Sequence, residues 1–187
     1  MIIKTANHER EIQQAFIDKF TLTYDQFRLK HQGEPIVEEY LKNESVYANL
    51  LIWDKLNTEF DRIDFKKALS MLKSIEGPVY LMPDPGERGS YYLTVDGTKR
   101  KDSVASADAN ELAEQIEYEW YQSWKAAAMN TRLNDDVLPE DLYVFDKEME
   151  HVIIFTHEYD FWELEATEEY MKCADSRFCL VYGFSGK

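Results

Sequence analysis

Residues 138–158 read LPEDLYVFDKEMEHVIIFTHE, and they carry the clearest structural pattern in the chain. They contain two dense apolar strand candidates, at 141–146 and 151–157, joined by a short acidic turn. Runs rich in Val, Ile, Tyr, Phe and Thr that are bounded by turn residues are typical of strands. The stretch therefore predicts two neighbouring strands of one sheet.

The second of these strands carries apolar residues on both of its faces. Side chains alternate along a strand, so Val152, Ile154 and Thr156 are expected on one face and Ile153 and Phe155 on the other. An uninterrupted apolar run of this kind is typical of a strand in a sheet that is covered on each side. We therefore expect packed layers on both faces of the sheet.

The part of the chain before this region, residues 1–76, predicts a helical layer. Apolar residues recur at helical spacing in three segments, near residues 12–20, 46–60 and 65–72. Gly77 and Pro78 then bring the third segment to an end, as glycine and proline commonly do after a helix.

Residues 77–187 predict a sheet and a single long helix. Residues 79–82 and 90–95 are strand candidates that we expect to form a hairpin or to lie side by side, and 178–184 is a last strand candidate. Residues 99–106 are charged and polar, and are expected to form a loop.

The long helix is expected to begin at Asp108, with Glu111 three residues further on in a spacing that resembles a capping box. Large apolar and aromatic residues then recur at every fourth position, so this helix is expected to pack on the sheet. The sequence thus predicts an α+β fold with a mostly antiparallel sheet, an N-terminal helical layer and one long helix. At 187 residues, a single domain spanning 1–187 is expected.

Composition excludes some partners and favours others. The 21 Lys and Arg residues against 36 Asp and Glu residues give a formal net charge of −15. A field of that sign repels the phosphates of nucleic acids and anionic lipids, so neither is an expected partner, whereas a basic protein is compatible with it. Such a charge also serves simply to keep a protein in solution.

The N-terminus has no apolar run that fits a signal peptide, and no stretch approaches a membrane span, so a cytoplasmic location is expected.

The two cysteines, Cys173 and Cys179, are expected to be thiols in a reducing compartment. Their spacing is not that of a zinc clip, and no histidine lies close to them in sequence. Cys179 stands inside an apolar strand candidate and is expected in the core. No cofactor is predicted from the sequence.

The pattern of residues 138–158, followed by the strand RFCLV, resembles the carboxy-terminal signature of small bacterial proteins that are grouped with polymorphic-toxin immunity proteins. The resemblance covers about a quarter of the chain, and Glu150 or His151 stands where such proteins usually carry an aromatic residue. It implies an intracellular binding role without catalysis. The resemblance does not assign a functional role to any residue of this chain.

A second hypothesis is a metal-assisted hydrolase centred on His157, with Asp146 or Glu158 as a further ligand. His151 is not expected to share an ion with His157. In a regular strand six residues span roughly 20 Å, whereas each ligand must lie within about 2 to 2.6 Å of its metal. The sequence offers no nucleophile with an adjacent base and no phosphate-binding glycine loop.

Aromatic and acidic residues cluster in 158–170, and this segment is the predicted contact surface for a basic protein. Tyr and Trp supply contact area at low entropic cost, and charges steer association. The residues expected to touch the partner are Glu158, Asp160, Trp162, Glu165 and Glu169.

Three functions follow as hypotheses. The first is non-catalytic protein binding, including inhibition of a basic toxin or enzyme, and the second is the hydrolase. The third is a structural or regulatory module in which the aromatic residues form a contact between copies of the chain.

Overall fold

The computed structural model describes residues 3–35, 37, 42, 44–85, 93–95, 97–100, 103–128, 138–139, 141–159 and 177–184; for 120–128, 158–159 and 177 it describes the backbone alone. Within these residues the helices are α1 (Glu9–Phe20), α2 (Tyr24–Lys30), α3 (Glu44–Ala48), α4 (Phe65–Lys73) and α5 (Ala109–Ala128), with a 3-10 helix at Ile52–Lys55. The strands are β1 (Lys4–Thr5), β2 (Asp61–Asp64), β3 (Pro78–Pro83), β4 (Leu93–Val95), β5 (Thr98–Arg100), β6 (Ala105–Asp108), β7 (Leu142–Phe145), β8 (Val152–Tyr159) and β9 (Arg177–Tyr182).

Seven strands form one antiparallel sheet in the order β1-β6-β3-β7-β8-β9-β2, and β4 pairs separately with β5. The two strands predicted from residues 138–158 lie at the centre of this sheet. β7 pairs with β8 in a register that places Leu142 opposite Phe155 and Phe145 opposite Val152. The prediction of an α+β fold with an antiparallel sheet is confirmed.

Helices cover both faces of the sheet. On one face, Ile153 and Phe155 pack with the buried side chains of α4 and α5. On the other face, Val152 and Ile154 pack with α1 and the 3-10 helix. The alternation predicted for β8 is therefore confirmed. Burying each large apolar side chain contributes about 1.5 to 3 kcal/mol to stability, so the two cores together fix the sheet between its helices.

The helices on the first face begin where the sequence provides a cap. Asp64 precedes α4, and its Oδ1 accepts a hydrogen bond of 2.8 Å from the backbone N–H of Lys67. Asp108 Oδ1 accepts bonds from the backbone N–H groups of Asn110 (2.9 Å) and Glu111 (3.1 Å), as expected for the start of the long helix. Across the described residues, no helix has both the length and the apolarity that crossing a membrane requires.

The prediction for residues 90–106 is wrong in two respects. β4 pairs with β5 rather than with β3, because the Asp-Gly pair at 96–97 is a strong two-residue hairpin signal. The expected loop at 99–106 also contains β6, which lies inside the main sheet between β1 and β3. Its buried residues are alanines, whose weak strand propensity hides the pattern in the sequence.

The predicted helical part also supplies both edges of the sheet. β1 pairs with β6 at one edge, and β2 pairs with β9 at the other. β2 has the sequence DRID and is largely exposed, so it has no apolar period from which a strand could be predicted. Charged edge strands of this kind discourage pairing with other chains.

Cys179 is buried in the core on β9, which confirms the prediction that it lies there. Cys173 lies outside the described residues.

Candidate functional site

Two aspartate–histidine pairs flank the β7–β8 ladder at its opposite ends. Asp141 precedes β7 and Asp146 follows it, while His151 precedes β8 and His157 stands near its far end. Because the two strands run antiparallel, each aspartate meets a histidine. His157 Nδ1 lies 2.9 Å from Asp141 Oδ2, and His151 Nδ1 lies 2.6 Å from Asp146 Oδ2.

The first pair is built around a carboxylate that solvent does not reach. Asp141 is 0% exposed, and its Oδ1 also accepts a hydrogen bond of 3.0 Å from the backbone N–H of His157. Burial raises the pKa of Asp141 above its ordinary value; His157 opposes this shift, and Asp84 adds to it. The ring of Trp53 packs edge-on against the imidazole of His157, with ring centroids 6.2 Å apart.

A second buried carboxylate, Asp84, lies just after β3 and joins the sheet to the 3-10 helix. The hydroxyl of Tyr143 donates a hydrogen bond of 2.6 Å to Asp84 Oδ2 and accepts one of 3.1 Å from the backbone N–H of Trp53. The same carboxylate oxygen accepts a bond of 2.7 Å from the backbone N–H of Ile52. Burial is the main cause that raises the pKa of Tyr143 well above its ordinary value, and the negative charge of Asp84 is the next largest cause.

Lys55 stands at the end of the 3-10 helix, close enough to the same carboxylate for its charge to act on the Lys55 amine. Burial lowers the pKa of Lys55, while the charges of Asp84 and Asp54 oppose that shift. We call Asp84, Asp141, Tyr143, His157 and Lys55 the polar cluster. Altered pKa values of an acid, a phenol and an amine in one place are typical of functional sites, although structural networks produce them as well.

Of the five residues of the polar cluster, only His157 also belongs to the metal site predicted from the sequence. The hairpin register offered a usable signal: extending the pairing of Leu142 with Phe155 by one residue places Asp141 opposite Thr156, beside His157. Asp84 and Lys55 come from segments remote in sequence, and no periodicity connects them with β8.

Of the two ligands predicted to accompany His157 in a metal site, only Asp146 has a described side chain, and it lies at the other end of the ladder. Asp146 pairs with His151 at the end of the ladder opposite His157, and the side chain of Glu158 lies outside the described residues. The described residues contain no group of three or more His, Cys, Asp or Glu side chains that is placed to hold a metal ion.

The predicted partner-binding surface also falls largely outside the described residues. The backbone of Glu158 belongs to β8, whereas Asp160, Trp162, Glu165 and Glu169 are not described. Their role remains a prediction from the sequence.

At the other end of the ladder, the Asp146–His151 pair lines a cleft of about 480 Å³. Asp146 holds the β7–β8 turn, since its Oδ1 accepts a bond of 2.8 Å from the backbone N–H of Glu150. The cleft lies between this turn, the carboxyl end of α4 and the residues that follow β9.

Solvent-facing residues of α5 form an acidic surface, which we call the α5 face. Leu112 and Ile116 point into the core, whereas the residues on the outer side of the same turns are exposed. These outer residues are Glu111, Glu114, Glu117 and Tyr118. Tyr118 is 62% exposed, and its ring is among the largest apolar surfaces that the described residues leave open.

No protein-family model, no curated protein and no solved structure matches the chain. The resemblance of residues 138–158 to immunity-type proteins thus remains a prediction from the sequence. The polar cluster, the cleft and the α5 face are the features on which a function can be argued.

Proposed function

We propose that the protein is a non-catalytic protein-binding domain whose partner presents a basic surface, as a toxin or enzyme inhibited by an immunity-type protein would. The exposed acidic α5 face is the observation that carries the proposal. The resemblance of residues 138–158 supports the same class of protein, because it implies binding without catalysis.

The distribution of charge supports a basic partner. Residues 1–76 hold 11 basic and 13 acidic residues, whereas residues 77–187 hold 10 basic and 23 acidic residues. Nearly all of the excess negative charge therefore belongs to the part of the chain that contains α5 and the β7–β8 hairpin. A net negative charge accelerates encounter with a positive surface, most strongly at low ionic strength.

The α5 face combines this charge with an exposed aromatic ring. Glu111, Glu114 and Tyr118 follow one another at steps of three and four, so they lie on one side of the helix. Glu117 forms an ion pair of 3.6 Å with Lys73 of α4, and both side chains are about half exposed. Tyrosine is enriched among the residues that dominate binding energy at protein interfaces, while surrounding charges mainly govern the association rate.

Capture of partners by the immobilised protein tests this proposal. The parent is compared with a triple variant of the α5 face, Glu111→Lys, Glu114→Lys and Tyr118→Ala, using lysate of the source cells and quantitative mass spectrometry. A control variant, Glu44→Lys, Glu59→Lys and Leu29→Ala, makes the same change of charge at exposed positions elsewhere. We expect basic proteins on the parent and the control, and their loss from the α5 variant.

The segment predicted from the sequence enters the same experiment as a separate variant in which Glu158, Asp160, Glu165 and Glu169 are reversed to Lys and Trp162 is replaced by Ala. If both variants retain every protein bound by the parent, or if the bound proteins are acidic, the proposal is wrong.

The polar cluster favours a second candidate function, metal-assisted hydrolysis at His157. A carboxylate that holds Nδ1 of an imidazole is a common arrangement for orienting a metal ligand or a general base, and His157 has this relationship with Asp141. Elemental analysis after purification without chelators tests it. Stoichiometric zinc or manganese that is lost in an Asp141→Asn, His157→Gln variant would support this candidate, and metal-free protein without a thermal shift on metal addition would contradict it.

A further inference from the structure

The cleft between α4, the β7–β8 turn and the end of β9 combines an apolar wall with negative charge. Its apolar side is formed by Met71, Ile75 and Phe184, of which Ile75 is buried and the other two are partly buried. Its volume of about 480 Å³ falls within the range of roughly 300 to 1,000 Å³ that is common for ligand pockets.

Three carboxylates also line the cleft. Glu76 follows α4, and Asp146 and Glu148 belong to the β7–β8 turn. Among the described residues that line the cleft, none is a lysine or an arginine. The carboxyl end of α4, at Ser74 and Ile75, adds the negative end of a helix dipole.

Contacts within the protein itself fix the shape of the cleft. Asp146 accepts hydrogen bonds from the backbone of Glu150 and His151, and Lys19 Nζ donates a bond of 2.7 Å to the carbonyl of Met149 from the other side of the turn. Gly183 allows the chain after β9 to pass close to the turn, because a Cβ there would lie 1.7 Å from the carbonyl oxygen of Glu150. A site that is formed before binding loses less entropy when a ligand enters.

We propose that this cleft receives an arginine side chain from the basic protein partner, an inference that rests on the proposed function. The methylene stem would lie along Met71 and Ile75, and the guanidinium group would pair with the carboxylates. Arginine fits better than lysine, since its planar guanidinium both pairs with carboxylates through two bonds and stacks on aromatic rings such as Phe184. Asp146, already paired with His151, positions the turn, which leaves Glu76 and Glu148 as the main contacts.

Nuclear magnetic resonance titration of the whole protein tests the proposal with two probes of the same shape. N-acetyl-arginine amide carries the guanidinium group, and N-acetyl-citrulline amide carries a neutral urea group in its place. We expect saturable shifts of the backbone amides of Ile75, Glu76, His151, Gly183 and Phe184 with the arginine probe only. Equal shifts with both probes, no shifts, or shifts spread over every acidic surface would overturn the proposal.

A double variant, Glu76→Gln and Glu148→Gln, removes two charges while keeping the shape of the cleft. Partly exposed ion pairs are individually weak, so we expect binding of the arginine probe to fall about tenfold. The matched control, Glu44→Gln and Glu59→Gln, removes two charges at exposed sites outside the cleft and is expected to bind as the parent does. Equal affinity of the two variants would contradict the proposal.

The capture experiment separates this inference from the proposed function. If the double variant Glu76→Gln, Glu148→Gln retains every basic protein that the parent binds, the cleft proposal fails while the proposed function stands. If the arginine probe enters the cleft but no basic protein is captured by the parent, the proposed function fails, and with it the assignment of the arginine to a protein partner.

Discussion

Tyr143 and Asp84 are joined by a buried hydrogen bond of 2.6 Å, which links the central strand β7 to the residue that follows β3. Tyr143 also accepts a bond from the backbone of Trp53, so a single hydroxyl joins the sheet to the 3-10 helix. Both side chains are almost inaccessible to solvent, and an unmet polar group there would be costly. This relationship gives a direct test of the polar cluster.

Replacing Tyr143 by Phe should destabilise the protein, because it leaves a buried carboxylate with one donor fewer and removes the acceptor of the Trp53 N–H. The expected loss in the free energy of unfolding is about 2 to 3 kcal/mol. Urea unfolding of the variant, compared with Tyr182→Phe on strand β9 of the same sheet, measures it. Equal losses in the two variants would contradict the role of the hydrogen bond.

Gly183→Ala should destabilise the protein more than Gly77→Ala. Both glycines have positive φ, +85° and +86°, so the strain of placing an L side chain there is similar. Only at Gly183 does the added Cβ meet the backbone, at 1.7 Å from the carbonyl oxygen of Glu150. We expect a loss of about 1 kcal/mol at Gly77 and at least about 3 kcal/mol at Gly183. Thermal unfolding of both variants checks the difference.

The buried Asp141 should make stability depend on pH. Its pKa is raised in the folded protein, so its favourable contribution is complete below the ordinary value of 3.8 and is lost as pH rises through the folded pKa. An Asp141→Asn variant has no carboxyl group to ionise at this position, so it does not lose stability in this way as pH rises. The stability of the variant relative to the parent should therefore increase as pH rises from the ordinary value of 3.8 through the raised pKa of the folded protein.

Urea unfolding at several pH values measures this change, with Asp61→Asn at the exposed edge of the sheet as control. A relative stability of Asp141→Asn that stays constant or decreases with rising pH would show that burial does not dominate the pKa of Asp141.

The helical layer on the second face should be essential to the fold. Phe16 of α1 is 0% exposed and contacts the rings of Tyr143 and Phe145. Phe16→Ala is expected to cost about 3 to 5 kcal/mol, because it removes a large side chain and leaves a cavity. Leu29→Ala, at a position 72% exposed, should cost little. Chemical denaturation distinguishes the two, and similar midpoints would mean that α1 does not form part of the core.

The candidate sites could be predicted only in part. The sequence points to His157 because histidine is a common metal ligand and general base, and the hairpin register brings Asp141 beside it. Asp84, which follows β3, and Lys55, in the 3-10 helix, cannot be predicted as members of the cluster. No local pattern in the sequence shows which distant segment packs over a given strand.

The central strands, the start of the long helix and the two apolar faces of β8 can be predicted from the sequence, because each of these follows from the local spacing of side chains along the chain. Three features appear only in the folded chain: the N-terminal part supplies polar edge strands, an alanine-rich segment enters the sheet, and each aspartate beside β7 pairs with a different histidine. The physical reason is that pairing between remote segments depends on the burial and hydrogen bonding of the whole molecule, which local propensity does not contain.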